Sequence, residues 1–380
     1  MKKVYNNHPR KVGKDVQRRI NALGVGQKMQ DLPEELWHDS FRFYVKEDPT
    51  RKGGPNLRII RLNPDDQALT VTGYIFNKFV HPDENRFITP REAARLQGFP
   101  DEIEFKGSLT SVQQQVGDAV PVELGRAIFK ALLDVFLEYE PKQRVFNALS
   151  LFSGAGGLDI ALEQVSQENG NHLNMFACVE LDADRCETLR GYFDGNLNVF
   201  QEDISKLNAQ AILQSCGKQA KDVWLVYGGP PCQSFSQAGK QKGASDSRGQ
   251  LIFDFLRFVG DIRPPFFMME NVSNLKGIDN GRLLAKIVKR IDELDYRVVY
   301  ATLNAADYGS PQKRRRLIFL GSRKDLPIRA YLPPPTHGAG RSLFNLKPYK
   351  TIGEAFAGLP SPDYQPVDLS DNHLGGLEDD

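Results

Sequence analysis

Cysteine is scarce here: four in 380 residues (Cys178, Cys186, Cys216 and Cys232), with no CxxC pair among them. That spacing argues against a zinc site, and it predicts a reducing, cytoplasmic setting. Long apolar runs are missing too. No stretch approaches the ~18 residues of a membrane span. The opening "MKKVYNNHPRKVGKDVQRR" is basic but has no apolar core behind it, so no signal peptide is expected. Net charge is almost nil, 49 Lys and Arg against 48 Asp and Glu.

What is there is an ordinary globular balance, 40% hydrophobic and 26% charged, in a length that suits one large domain or a large and a small one. The charge is unevenly spread. Residues 1–20 carry seven Lys/Arg and one Asp, residues 351–380 carry seven Asp/Glu and no Lys/Arg, and "QKRRR" lies at 312–316. A solvated face explains any one cluster. Local basic surface on a near-neutral chain fits a nucleic-acid partner better than a membrane.

From Arg144 onward short apolar runs alternate with amphipathic stretches. "VFNALSLF" (145–152), "NMFACVE" (174–180), "VWLVY" (223–227), "FFMME" (266–270), "RVVYATL" (297–303) and "RLIFLG" (316–321) read as buried strands. Between them "DSRGQLIFDFLRFVGDI" sets Leu251, Phe255, Phe258 and Val259 on one helical face. The fold class expected is α/β: a doubly wound parallel sheet with right-handed crossovers, plus a second, smaller unit. Residues 1–85 lack this pattern and read as a small, mostly β or irregular unit, with "NLRIIRLN" and "ALTVTGYIF" as strand candidates. "TPREAARLQGFP" (89–100) reads as a short helix started by Thr89 and Pro90, and "PVELGRAIFKALLDVFLEYE" (121–140) as a long amphipathic one.

Chemistry-bearing residues fall at successive strand ends. "LFSGAGGLDIALE" (151–163) follows the first strand, and its glycines allow close approach of backbone N–H groups to a ligand. Asp159 stands where a dinucleotide fingerprint needs its third glycine, which favours a nucleoside ligand other than NAD. Glu180 ends the next strand, where a carboxylate can accept both ribose hydroxyls, and Asp203 follows the third apolar run, within reach of an adenine amino group. Singly, each is as well explained by a turn glycine or a capping acid; together they describe an adenosine pocket. Cys232 in "GGPPCQSFS" and Glu270 in "MMENV" flank it from the next two strand ends. A nucleophile and an acid beside such a cofactor suggest group transfer through a covalent intermediate.

"GGPPCQSFSQAGK", "MENV", "LFSGAGG", "QKRRRLIFLG" and "TPREAARLQGFPD" together closely resemble the signatures of DNA cytosine-5 methyltransferases of bacterial restriction-modification systems, over most of residues 60–330. The resemblance implies an S-adenosylmethionine-dependent, Rossmann-like catalytic domain at 113–345, a small target-recognition domain from 1–85 with 346–380, and a hinge at 86–112. It implies that the Cys232 thiolate adds to C6 of a cytosine flipped out of double-stranded DNA, that Glu270 holds a proton at N3, and that Arg316, with Arg314 and Gln312, holds the base oxygen and the catalytic loop or thiolate. For the cofactor it points to Phe152, Gly154, Gly156, Gly157, Glu180, Leu181, Asp203, Ile204, Gly229, Pro230, Leu251, Phe99, Asp118, Ala119 and Val120. DNA contacts are expected from Arg51, Lys52, Asn56, Arg58, Thr70, Ser236, Gln237 and Lys240, with the Gly/Ser/Lys-rich 234–250 as a closing loop. No metal is implied. A monomer is expected, with a cognate restriction endonuclease in the same system and no direct contact between them.

Two departures stand out. Asp118 occupies a position where the family usually has Asn. The blocks "TPREAARLQGFPD" and "QVGDAVP", usually last, come first here, as in a circular permutation. A tRNA cytosine methyltransferase and a non-catalytic DNA-binding regulator on the same fold are the alternatives. The intact Cys232, Glu270 and QxRxR set speaks against the second.

Overall fold

The apolar runs assemble into a central sheet in a computed structural model that describes residues 3–39, 41–42, 59–73, 78–231, 249–339 and 345–362. Ahead of the sheet come α1 (Lys14–Ala22), β1 (Ile60–Arg61), β2 (Phe79–Val80), α2 (Pro90–Leu96), α3 (Leu109–Asp118) and α4 (Val122–Tyr139). The sheet region runs β3 (Phe146–Leu151), α5 (Gly157–Glu168), β4 (Leu173–Glu180), α6 (Ala183–Tyr192), β5 (Asn198–Gln201), α7 (Ala209–Ser215), β6 (Val223–Gly228), α8 (Gln250–Ile262), β7 (Phe266–Val272), α9 (Arg282–Glu293), β8 (Tyr296–Asn304) and β9 (Arg315–Arg323). Two short strands, β10 (His337–Gly338) and β11 (Lys347–Pro348), and α10 (Ile352–Phe356) follow.

The sheet has seven strands in the order β5-β4-β3-β6-β7-β9-β8. Its first five strands pair in parallel, as expected. The expectation of a wholly parallel sheet is corrected at β9, which pairs antiparallel with both β7 and β8. The reason lies in the connection: residues 305–314 between β8 and β9 hold only a single 3-10 turn, and a parallel return needs a crossover of about a dozen residues or more.

Alternate strand residues go to opposite faces, and the two cores show it. Phe146, Ala148, Phe266, Met268, Ile318 and Leu320 join one cluster with α4 and α5. Leu149, Leu151, Phe267, Met269, Leu317 and Phe319 join another with α7, α8 and α9. Helices thus cover both faces, the doubly wound arrangement. After β5 the chain returns to the other side of β3, so the order switches beside β3 and β6, where a ligand crevice belongs.

The Thr89 helix forms as read. Thr89 Oγ1 accepts from Glu92 N (3.1 Å) and Glu92 Oε2 accepts from Thr89 N (2.7 Å), a reciprocal cap ahead of Pro90. Residues 86–112, expected as a hinge, carry Ile88, Ala93, Ala94, Leu96, Ile103 and Phe105, which are buried in the same cluster as the sheet. The N-terminal unit has its own small cluster built from Ile20, Leu23, Met29, Leu32 and Phe41 against Ile59, Val80 and Phe87. Buried Arg61 anchors it by donating to the carbonyls of Ile20, Leu23, His81 and Glu84. Of the two strand candidates there, "NLRIIRLN" supplies β1, whereas residues 68–73 of "ALTVTGYIF" form only an isolated bridge, Ala68 to Gln312. Among the described residues no helix is long and apolar enough to cross a membrane.

Candidate active site

A crevice of about 550 Å³ opens at the carboxyl ends of β3, β4, β6 and β7. The chain leaves β3 through Phe152 and Gly154 at φ 56° and 58°, and Gly156 at φ 86° caps α5. A non-glycine residue held at positive φ is costly, and such strain gathers where a ligand is gripped. Gly157 is required by a close approach: a Cβ there would lie 2.4 Å from Val120 O. The "LFSGAGG" loop and the "GDAV" segment are therefore pressed together at one wall.

Glu180 is buried and its oxygens hold that wall in place. Oε2 accepts from Gly154 N (2.8 Å); Oε1 accepts from Leu181 N (2.9 Å) and Asp182 N (3.0 Å). Leu181 is exposed at the rim. Asp203 Oδ1 accepts from Ser205 N and Ser205 Oγ, and buried Ile204 lines the crevice beside it. Gly229, Pro230 and Leu251 line the far wall, and Asp118, Ala119 and Val120 the near one. Phe99 lies apart from this lining, buried edge-on against Phe105 (5.1 Å).

At the other end Glu270 closes β7. It is buried, with Arg316 Nε 2.7 Å from its Oε1. A Cβ on Gly229 would lie 2.8 Å from Oε2, so glycine lets the "GGPP" turn meet the acid. Burial pushes the Glu270 carboxyl up, while Arg316 and Arg314 pull it back down. The Arg314 guanidinium is enclosed, donating to the carbonyls of Val71, Gly117 and Asp118, and burial lowers it to about 9. Gln312 is set apart as well. It lies outside the crevice with no exposure, its Nε2 donating to Leu96 O and Gln97 Oε1 and its Oε1 accepting from Val71 N. Of the QxRxR block, then, Arg316 touches Glu270, while Arg314 and Gln312 hold the 68–73 and 96–118 segments against the sheet. Thr70 joins that seam by donating to Lys313 O (2.7 Å).

Cys232, Ser236, Gln237, Lys240, Arg51, Lys52, Asn56 and Arg58 lie outside the described residues. What leads to Cys232 is described. Pro231 lines the crevice, and Asn271 Nδ2 donates to Pro230 O (2.9 Å) from a nearly fully buried position. Sequence reading passed over Asn271 and also Arg185, whose Nη2 lies 2.7 Å from Asp118 Oδ2. The signal for Asn271 was its place beside Glu270 in "MENV"; Arg185 gave none, because its partner is 67 residues away.

A loop of positive-φ glycines and a crevice at the switch point of a doubly wound sheet fit one class: the Rossmann-like fold of S-adenosylmethionine-dependent methyltransferases. The family of C-5 cytosine-specific DNA methylases matches residues 2–134 and 146–362. The chain belongs to this family, that of the DNA cytosine-5 methyltransferases. It is similar to the Type II methyltransferase M.AquIA of Picosynechococcus sp., 38% identical over 227 residues, covering 56% of this chain and 88% of that one. It is also similar to the Type II methyltransferase M1.HphI of Haemophilus parahaemolyticus, 35% identical over 214 residues and covering 56% and 52% of the two chains. The chain thus spans most of the first relative's length and about half of the second's. Among solved structures, the S. pombe Dnmt2 methyltransferase aligns at 22% identity and TM-score 0.38 over 48% of this chain and 52% of that one.

Proposed function

We propose that the protein methylates C5 of a specific cytosine in double-stranded DNA, as the modification enzyme of a Type II restriction-modification system. The observation that carries this reading is the buried Glu270–Arg316 pair, set against the glycine turn that leads through Pro230 and Pro231 to Cys232. Cytosine C5 is a weak nucleophile. The Cys232 thiolate forms a bond to C6 of the flipped base, which moves an electron pair toward C5. The buried Glu270 carboxyl, raised by its surroundings, keeps a proton at N3 and favours that addition. S-adenosylmethionine, when bound, supplies the methyl group. Loss of the C5 proton then expels Cys232 and restores the ring.

The crevice suits that cofactor. Glu180 faces a ribose from the end of β4, Asp203 and Ile204 stand on the adenine side, and Phe152, Gly154 and Gly157 supply a close backbone wall. The small N-terminal unit with 346–380 is the proposed reader of the DNA site. The enzyme acts as a cytoplasmic monomer, and its cognate endonuclease needs no contact with it.

Duplex DNA carrying 5-fluorocytosine at the target, incubated with the cofactor, should yield an adduct that survives denaturation, because fluorine does not leave as a proton does. Cys232→Ala should abolish the adduct. Glu270→Gln should slow its formation by about a hundredfold or more, the scale of acid–base assistance. An adduct with tRNA in place of DNA, or one that persists in Cys232→Ala, would overturn the reading.

A further inference from the structure

The ion pair between Arg185 and Asp118 lies on the crevice wall and has no place in the chemistry above. Arg185 stands in the first turn of α6, after the cap in which Asp182 Oδ1 accepts from Arg185 N (3.0 Å). A cation there opposes the helix dipole, so local helix formation does not explain it. Its side chain crosses to the end of α3, where Nη2 meets Asp118 Oδ2 at 2.7 Å, with the two side chains 22% and 59% exposed. Both residues line the crevice.

Charge in the crevice narrows what the pair is for. Among the described residues three arginines line it: Arg185, Arg314 and Arg316. Arg314 is enclosed on backbone carbonyls and Arg316 Nε is on Glu270. The wall that includes Arg185 otherwise carries the carboxylates Glu180, Glu202 and Asp203. A ligand whose tail bears a carboxylate would meet repulsion there unless a cation offsets it. Arg185 spends one nitrogen on a solvent-facing partner, and a guanidinium has five N–H donors in a planar fork suited to a second carboxylate. Asp118 beside it offers an acceptor for an ammonium group.

The geometry points to the Arg185–Asp118 pair as the recognition element for the zwitterionic amino-acid tail of the cofactor, with Arg185 as the carboxylate anchor. This rests on the proposed S-adenosylmethionine site. It also gives the carboxylate at 118 a role: the acid is neutralised by Arg185 and presented to the ligand's ammonium rather than left as a repulsive charge.

Calorimetric titration of the protein with S-adenosylhomocysteine and with 5′-methylthioadenosine, which shares the nucleoside but lacks the amino-acid tail, separates the possibilities. Arg185→Gln should weaken S-adenosylhomocysteine by about tenfold or more, the scale of one lost charge-assisted contact, and leave 5′-methylthioadenosine within about twofold. Arg185→Lys should recover part of the loss. Equal weakening of both ligands would make the pair a purely structural clasp and overturn the inference, as would unchanged binding of both. If the wild-type protein bound neither ligand, the cofactor reading itself would fail.

Discussion

Asp159 shows how a residue can be visible in a sequence and its physics hidden. In the sequence it stands only as the residue that breaks a glycine fingerprint. In the fold it is fully buried at the start of α5, where Ser150 Oγ (2.6 Å) and Tyr227 Oη (2.7 Å) donate to Oδ1. Its Oδ2 has no partner among the described residues. Burial pushes its pKa up to about 6 against the two hydroxyls, which pull it down; the nearby Glu180 charge adds to the rise. A carboxyl with a raised folded-state pKa costs no stability while protonated in both states. As pH climbs past the unfolded value of 3.8 the unfolded chain loses its proton first, and stability falls until the folded value is passed. Asp159→Asn removes that slope. Between pH 4 and pH 7 the variant should gain about 2–3 kcal/mol relative to the wild type. Urea unfolding of both proteins across that range checks it. Parallel pH profiles would contradict the assignment. The hydroxyl partners come from β3 and β6, so nothing adjacent in sequence announced the burial.

Secondary elements were legible where periodicity and caps act locally, and illegible where only a distant partner decides. The Thr89 cap, α4 and the strand runs around β3, β4, β6, β7 and β9 follow from apolar spacing and turn residues. The reversed direction of β9 does not, because "RLIFLG" reads alike in either sense. Short β5 has no buried residue and gives almost no hydrophobic signal. The seam around α3 is the clearest case of a distant partner. A Cβ on Gly117 would lie 2.1 Å from Gly73 N, and Gly117 O accepts from buried Arg314 (2.8 Å). Backbone meets backbone there, so no side chain can yield. Gly117→Ala should therefore lose roughly 1–3 kcal/mol by overpacking, measured by urea unfolding. It should also loosen Arg314, seen as faster proteolysis near residues 71–73. A variant as stable as the wild type would mean that the 68–73 segment does not press on α3.

At the scale of the whole molecule the order of motifs is the feature to explain. The resemblance sets the blocks "TPREAARLQGFPD" and "QVGDAVP" ahead of the strand-end motifs rather than after them, and closure of the flanks in three dimensions would make that order harmless. α4 ends at Tyr139 and β3 begins at Phe146, and both share one core: Phe136 packs on Phe146 at 5.3 Å and on Phe266 at 4.9 Å. The connection between them is exposed at Lys142 and Gln143. The family match is interrupted there too, between residues 134 and 146. At the other end the two flanks meet. Asn7 Nδ2 donates to Pro360 O (3.1 Å), and Arg95 Nη1 donates to the carbonyls of Ala355 and Ala357. A chain whose flanks already touch can be closed there and opened elsewhere without losing a core contact. Joining residue 380 to residue 1 by a Gly/Ser linker of about ten residues, with a mean span of roughly 15–20 Å, and opening the gene between Lys142 and Gln143 should give a protein that folds. It should also bind S-adenosylhomocysteine as the parent does and methylate the same DNA site. Opening the same closed chain inside α4, for instance between Leu132 and Leu133, should abolish folding, because both residues are buried in the largest core. If the first product is insoluble while the parent is not, the α4–β3 connection is a required part of the fold and the permutation reading falls.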